Sequence, residues 1–201
     1  MARAIRTLVL LLFLALFAAI AWVAIRGAQA RGHLEDAANH VSKLQQQMKT
    51  LDTAAASDTV DTIQTHTTKA HELTSDPVWD TLAKFPWGGQ NLAAVSTATG
   101  AVDDLAQEGL PALVNAGDNL VTFRTELKNG NLDAAPLKQL ATNVETLDTS
   151  VKQTRQEISG VERRYLVRAV SQALDELNRS LDIAGSVGEQ LSTSAQEVGR
   201  T

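Results

Sequence analysis

The sequence contains no cysteine and few aromatic residues. Without cysteine there can be no disulfide bridge, no thiolate metal ligand, no cysteine nucleophile and no lipid anchor on a cysteine. Aromatic residues make up 4% of the chain, which has four prolines. A β-sandwich would need more aromatic and β-branched residues, so this composition favours packed helices.

Acidic residues are absent from residues 1–31, which contain four arginines. The remainder carries 14 basic and 23 acidic residues and a net charge of −9. A body with this charge repels phosphate backbones, so we do not expect a nucleic-acid partner. Acidic polymers and anionic lipid headgroups are disfavoured for the same reason.

A long apolar segment lies near the N-terminus. Thr7 to Ile25 gives nineteen residues without a charge, and at about 1.5 Å per residue this length roughly spans a ~30 Å hydrocarbon core. Trp22 stands near one end, where interfacial aromatics are typical. Residues 7–25 therefore predict a single transmembrane helix with the lipid bilayer as partner.

The orientation and the fate of this segment are separate questions. Basic residues are nearly balanced across it, but the short N-terminal tail and the acidic body favour a body outside the cytoplasm.

The segment is either a retained anchor or a cleaved signal peptide. Ala28-Gln-Ala30 fits a signal-peptidase site, which would allow cleavage after Ala30. The apolar run exceeds the roughly 7–15 residues of a signal core, and Arg26 separates it from this site. These features favour a retained anchor.

The body shows apolar residues at three- and four-residue spacing, which predicts long helices with narrow apolar seams. A first helix is expected from Arg31 to Ala55. A second helix is expected to begin at a cap formed by Ser57 or Asp58 and to end near Leu73. Narrow seams of this kind favour long antiparallel, coiled-coil-like helices over a compact globule.

Aromatic residues, prolines and paired glycines collect between residues 74 and 91. Ser75 or Asp76 can cap a short helix that starts at Pro77. Pro86 and the two glycines end it, because proline disfavours helical geometry in the residue before it. The candidate site residues of this structural corner or docking patch are Trp79, Phe85, Pro86, Trp87, Gly88 and Gly89.

The C-terminal half is predicted to form further long helices. Asn91 is expected to cap a helix that kinks at Pro111 or divides there into two nearly collinear helices. Asn129-Gly130 predicts its end, and Gly160 predicts a later turn.

The fold class predicted is all-α, with a single N-terminal transmembrane helix followed by an extended bundle or stalk. The predicted units are a tail and anchor (1–30), a first helical hairpin (31–73), the corner (74–91) and a long helical hairpin or bundle (92–201).

Residues suited to catalysis or metal binding show no recognised spacing. His33, His40, His66 and His71 contain no pair at the i,i+3 or i,i+4 spacing of a metal site on one helix, so surface positions are expected. Asp103-Asp104 is interpreted as a solvated helix face. The basic run 162–165 is interpreted as a helix surface near a turn, with binding of a phosphate or a lipid headgroup as the alternative. We therefore predict no enzyme activity, catalytic residue, cofactor or metal.

The stretch from Thr74 to Leu113 resembles an actinobacterial family of membrane-anchored proteins of unknown function. The matching residues are Ser75, Asp76, Pro77, Trp79, Pro86, Gly89, Leu92, Asp103, Asp104, Leu110 and Pro111. The resemblance implies an envelope location and a link to surface polysaccharide. Members of that family continue into a mixed α/β region, so we expect this chain to be a fragment or a short relative.

The expected function is a membrane-anchored, extracytoplasmic helical stalk or scaffold of the cell envelope, with a protein partner there and homo-oligomerisation left open. The alternative is an extracytoplasmic sensor or ligand-binding module that acts through a membrane partner.

Overall fold

The computed structural model describes residues 2–86, 88–130 and 133–198, and within these ranges every regular secondary-structure element is a helix. The all-α prediction is confirmed. The elements are α1 (Ala2–Thr50), α2 (Thr53–Thr74), α3 (Pro77–Ala83), α4 (Gly89–Asp104), a π-helical turn (Leu105–Gly109), α5 (Leu110–Lys128), α6 (Ala135–Ser159) and α7 (Arg168–Val198).

Helix α1 joins the apolar segment to the body without a break. It passes through Gly27 and Gly32 in helical geometry. Near the N-terminus it is long and apolar enough to cross a membrane. Large apolar side chains of its first half, such as Leu14 and Phe17, are exposed.

The turn between α1 and α2 differs from the expected one. Helix α1 ends at Thr50, before the predicted Ala55, and Leu51 adopts a φ of 56°. Asp52 caps α2, because its Oδ1 accepts the Ala55 N–H at 3.3 Å. The predicted cap at Ser57 or Asp58 is wrong. The apolar spacing continues through this turn, so the heptad pattern did not reveal it.

The first core forms where α2 folds back along α1. It combines residues of α1 and α2 with others from the π-helical turn and α5. Its buried members are Ala37, Leu44, Ala56, Val60, Ile63, Ala106 and Val114. Several of them are alanines, whose short side chains allow the helices to approach closely.

A π-helical turn precedes Pro111, where the sequence predicted a kink or a division into two nearly collinear helices. The Leu110 N–H donates to the Leu105 carbonyl, five residues back. In this register Pro111, which lacks an N–H, leaves the Ala106 carbonyl without its helical donor. Gln64 of α2 supplies a replacement, since its Nε2 donates to the Ala106 oxygen at 3.0 Å. Residues 89–128 therefore form one helical rod, about 60 Å long at 1.5 Å per residue.

Helices α6 and α7 build a second core against α4. Helix α5 ends at Lys128, with Gly130 at a φ of 77°, and α6 ends at Ser159, as the Asn129-Gly130 and Gly160 signals predict. The buried members of this core are Ala94, Ala101, Val151, Ile158, Leu174 and Leu181.

Candidate functional site

The corner at residues 74–91 begins with a well-formed helix cap. Asp76 precedes α3, and its Oδ1 accepts the backbone N–H groups of Val78 and Trp79 at 2.9 and 3.0 Å. Pro77 follows in the first turn, where its missing N–H is not needed. The predicted start of this helix is confirmed.

The same carboxylate ties α3 to the end of the apolar segment. Its Oδ2 accepts the Trp22 indole N–H at 3.2 Å and lies 3.5 Å from Nε of Arg26. The Arg26 guanidinium also lies 4.7 Å from the centroid of the Trp22 ring, within cation–π range. The helix cap and the end of the apolar segment within α1 thus share one charged group.

These contacts change the acidity of Asp76. Burial raises the pKa of its carboxyl, but hydrogen bonds from the Trp79 amide and the Trp22 indole stabilise the ionised form. The Val78 amide and the charge of Arg26 add to them, and together they outweigh burial. The pKa of Asp76 therefore lies below its ordinary value.

Trp79 is the buried centre of the corner. Its side chain is 2% exposed, and its indole N–H donates to the Leu92 carbonyl of α4 at 3.0 Å. The ring faces Gly27 of α1, where an added Cβ would lie 3.6 Å from the six-membered ring. This indole therefore contacts α1 and α4 at once.

The other corner residues have different surroundings. Phe85 is 58% exposed, and Pro86 is also exposed. Trp87 lies outside the described residues. Gly88 has a φ of 89°, and Gly89 is packed so tightly that a Cβ there would lie 2.4 Å from the Ala83 carbonyl oxygen. The two glycines thus permit the turn, while Phe85 is available to a partner surface.

The loop between α6 and α7 lies beside this corner. Asn91 holds it: its Oδ1 accepts the Val167 N–H at 2.7 Å, and its Nδ2 donates to the Tyr165 carbonyl at 3.4 Å. Asn91 therefore does not cap α4 as predicted, since Gly88 occupies the cap position. We call residues 76–86, 88 and 160–167 together the base. Asp76 and Trp79 contact Trp22 and Gly27 of α1, and the 160–167 loop is held to the start of α4.

The basic run at 162–165 belongs to the base and not to a helix surface. Arg163 forms an ion pair with Asp175 of α7. Arg164 lies over the Tyr165 ring, with its guanidinium 5.6 Å from the ring centroid. Tyr165 and Val167 are 60% and 56% exposed. Like Phe85, they are exposed apolar side chains of the base.

The histidines are not the isolated surface residues that the sequence suggested. His33 of α1 and His66 of α2 are half-buried, with their Nδ1 atoms 3.0 Å apart. The Asp36 Oδ2 lies 3.9 Å from the Nδ1 of His66. The His40 ring lies close to the His66 ring and nearly parallel to it, with ring centroids 6.0 Å apart.

His71 is not part of this cluster, and its ring lies against Gly100 of α4. The spacing rule missed this cluster, because its members come from two antiparallel helices.

The two aspartates at 103 and 104 have different roles. Asp104 is exposed, as expected. Asp103 is half-buried, and its Oδ1 accepts hydrogen bonds from the hydroxyls of Thr67 and Thr68 at 2.9 Å each. The expected solvated face is therefore wrong for Asp103, which links α4 to α2.

An open groove of about 650 Å³ lies between the start of α4 and the end of α6. Its lining includes the amides of Gln90, Gln153 and Gln156, and the carboxylates Glu157 and Glu162 are its titratable groups. Amides and carboxylates can exchange hydrogen bonds with hydroxyl groups.

No protein-family model, curated protein or solved structure matches this chain.

Proposed function

We propose that this chain is a membrane-anchored, extracytoplasmic helical scaffold of the cell envelope, with its base resting against the bilayer surface. The observation that carries the proposal is the packing of the base on the last part of the apolar helix, through Trp22, Arg26 and Gly27. The anchor and the body then form one unit.

This packing favours retention of the anchor over cleavage after Ala30. Ala30 is 2% exposed, so it is part of the packed body. Cleavage would remove the Trp22 indole N–H and the Arg26 charge from Asp76. It would also remove the residue that faces the Trp79 ring.

The same contacts support a particular level for the bilayer surface. A tryptophan followed by an arginine at the end of an apolar segment is typical of the interface between lipid and water. Because Asp76 contacts both, the base lies at that level. Its exposed Phe85, Tyr165 and Val167 suit this environment, where aromatic rings are favoured.

The cysteine-free sequence allows a direct test of this placement. Phe85→Cys at the base and Leu127→Cys at the far end of α5 introduce single thiols at positions with similar exposure, 58% and 51%. Each variant is labelled with an environment-sensitive fluorophore and reconstituted into nanodiscs that contain a lipid-borne quencher. We expect strong quenching at position 85 and little at position 127. Equal quenching at both positions would refute the placement of the base.

The orientation is tested with the Leu127→Cys variant in intact cells. A membrane-impermeant maleimide should label this thiol without cell lysis if the body is extracytoplasmic. Labelling that appears only after lysis would place the body in the cytoplasm and refute this part of the proposal.

The link to surface polysaccharide rests on the family resemblance. The groove lined by Gln90, Gln153 and Gln156 is the candidate contact, because amides donate and accept hydrogen bonds with sugar hydroxyls. Co-sedimentation of the purified protein with envelope polysaccharide tests it. Gln153→Ala together with Gln156→Ala should weaken co-sedimentation, and equal co-sedimentation would remove the groove from the proposal.

A sensor that acts through a membrane partner is the second candidate. The unbroken course of α1 from the apolar segment into the body favours it, because a continuous helix transmits displacement or rotation. Crosslinking of the apolar segment in cells is the discriminating experiment. A receptor or kinase captured reproducibly through residues 7–25 would favour the sensor over the scaffold.

A further inference from the structure

We propose that His33, Asp36 and His66 bind a divalent transition-metal ion, with Zn²⁺ as the best-matched ion, and that this ion joins α1 to α2. The inference is independent of the orientation of the body and of the proposed scaffold function. It rests on three side chains from two helices whose potential ligand atoms all lie within 4.8 Å of one another.

The distances suit a tetrahedral ion. Zn²⁺ binds imidazole nitrogen and carboxylate oxygen at about 2.0–2.2 Å, which places neighbouring ligand atoms of a tetrahedron roughly 3.3–3.6 Å apart. The two Nδ1 atoms are 3.0 Å apart, and the Asp36 oxygen is 3.9 Å from one of them. Shifts of a few tenths of an ångström would bring both distances to the tetrahedral value. The third distance, between His33 and Asp36, lies within 4.8 Å, and a rotation of the exposed Asp36 side chain would shorten it.

The contact between the two imidazoles has a chemical consequence. Two Nδ1 atoms at 3.0 Å can share a hydrogen bond only if one carries a proton and the other presents its lone pair. A metal ion can replace that proton. Each neutral ring then keeps one proton on Nε2 and directs its Nδ1 lone pair to the ion.

The ligand set selects the class of ion. Two imidazoles and one carboxylate suit Zn²⁺ and other first-row divalent ions, while Mg²⁺ and Ca²⁺ prefer oxygen ligands. Three protein ligands leave a fourth position for water.

A further histidine lies close to this set. The Nδ1–H of His40 donates to the Asp36 carbonyl at 2.8 Å, so a neutral His40 carries its lone pair on Nε2. The same hydrogen bond fixes the ring on the helix turn that also carries Asp36.

The position of the cluster gives the ion a mechanical role. His33 follows Ile25, the last residue of the apolar segment, by eight positions, or about 12 Å along the helix. An ion bound there would connect α2 to the helix that leaves the membrane, just above the base. It would also replace a shared proton with coordinate bonds between the two helices.

The test uses the tag-free full chain in detergent, because an affinity tag of histidines would bind the same ions. Zn²⁺ is titrated by calorimetry and by competition with a chromogenic chelator. We expect one Zn²⁺ per chain, no competition from Mg²⁺ or Ca²⁺, and a higher melting temperature with Zn²⁺. Co²⁺ should bind in its place and show the intense visible absorption of tetrahedral coordination.

Matched variants distinguish this site from adventitious binding. His66→Gln and Asp36→Asn each remove one ligand, and each should lower the affinity at least about tenfold, the lower end of what even outer-shell substitutions cost metal sites. Their controls are His71→Gln and Glu35→Gln, which remove one histidine and one exposed carboxylate outside the cluster. Both controls should bind like the original protein.

Two results would overturn the inference. One is the absence of Zn²⁺ binding by the full chain. The other is binding that His66→Gln and Asp36→Asn weaken no more than their controls do. Circular dichroism of each variant establishes that helix content is retained, and His33→Gln provides a third ligand variant if one of the others fails to fold.

Discussion

Truncation of Trp79 should destabilise the protein more than truncation of any exposed aromatic residue at the base. Trp79 is 2% exposed and contacts Gly27 of α1, while its indole donates to the Leu92 carbonyl. Removal of a buried tryptophan side chain costs about 3–5 kcal/mol. Folded domains have total free energies of unfolding of about 5–15 kcal/mol, so Trp79→Ala should remove a large part of the stability of this protein.

The expected loss corresponds to a measurable change in melting temperature. For a chain of this length, 1 kcal/mol shifts the midpoint by about 2–4 °C, so Trp79→Ala should lower it by roughly 6–20 °C. Thermal unfolding followed by circular dichroism in detergent measures this change. Trp79→Phe should cost less, because it keeps most of the packing and loses the hydrogen bond, worth about 0.5–1.5 kcal/mol.

Phe85→Ala is the matched control. Its side chain is 58% exposed, so the change should alter stability by no more than about 0.5 kcal/mol. The reasoning would be refuted if Trp79→Ala melted within 2 °C (roughly, the least shift expected for 1 kcal/mol) of Phe85→Ala. The ring would then not connect α1 and α4, and the base would not be built around it.

Three further predictions concern polar and backbone contacts near the corner. Gly89→Ala should lower the free energy of unfolding, measured by chemical denaturation, by at least about 1–3 kcal/mol. The new Cβ would lie 2.4 Å from the Ala83 carbonyl oxygen, a backbone atom that cannot easily move aside. An unchanged denaturation midpoint would contradict this geometry. The pKa of Asp76 is lowered in the folded state, so its ionised carboxylate stabilises the fold above the ordinary pKa of 3.8, and this stabilisation is lost as the pH falls through the folded-state pKa. Asp76→Asn should therefore lose less melting temperature on acidification than the original protein. Parallel pH profiles of the two proteins would exclude this contribution. Gln64→Ala leaves the Ala106 carbonyl without its side-chain donor. If the π-helical turn persists, the free energy of urea unfolding should fall by about 1–3 kcal/mol. If the helix returns to regular geometry, the loss should be near zero.

The residues that carry the family resemblance have structural roles in the folded chain. Asp76 caps α3, Trp79 fills the corner, and Gly89 permits the close approach of α3 and α4. Asp103 joins α4 to α2, and Pro111 follows the π-helical turn. These contacts give the pattern a physical meaning, because its residues fix how α3 meets its neighbouring helices. That this chain belongs to the family is a proposal.

The sequence by itself determined the helical class, the apolar segment and those helix ends that carry strong local signals, such as Asp76-Pro77 and Asn129-Gly130. These features depend on neighbours along the chain. The cap at Asp76 with Pro77 after it, and the end of α5 at Asn129-Gly130, follow from groups within a few residues of one another. The apolar spacing likewise depends only on the helical repeat.

Only the tertiary structure decided which helix faces meet, and the candidate sites depend on those meetings. His33 and His66 are thirty-three residues apart, so their contact follows from the turn at Leu51 and the register of α1 against α2. Asn91 is a residue type that caps helices, but the α6–α7 loop gives its side chain other partners. Local pattern cannot report such contacts, because the free energy that selects them comes from packing between segments distant in sequence.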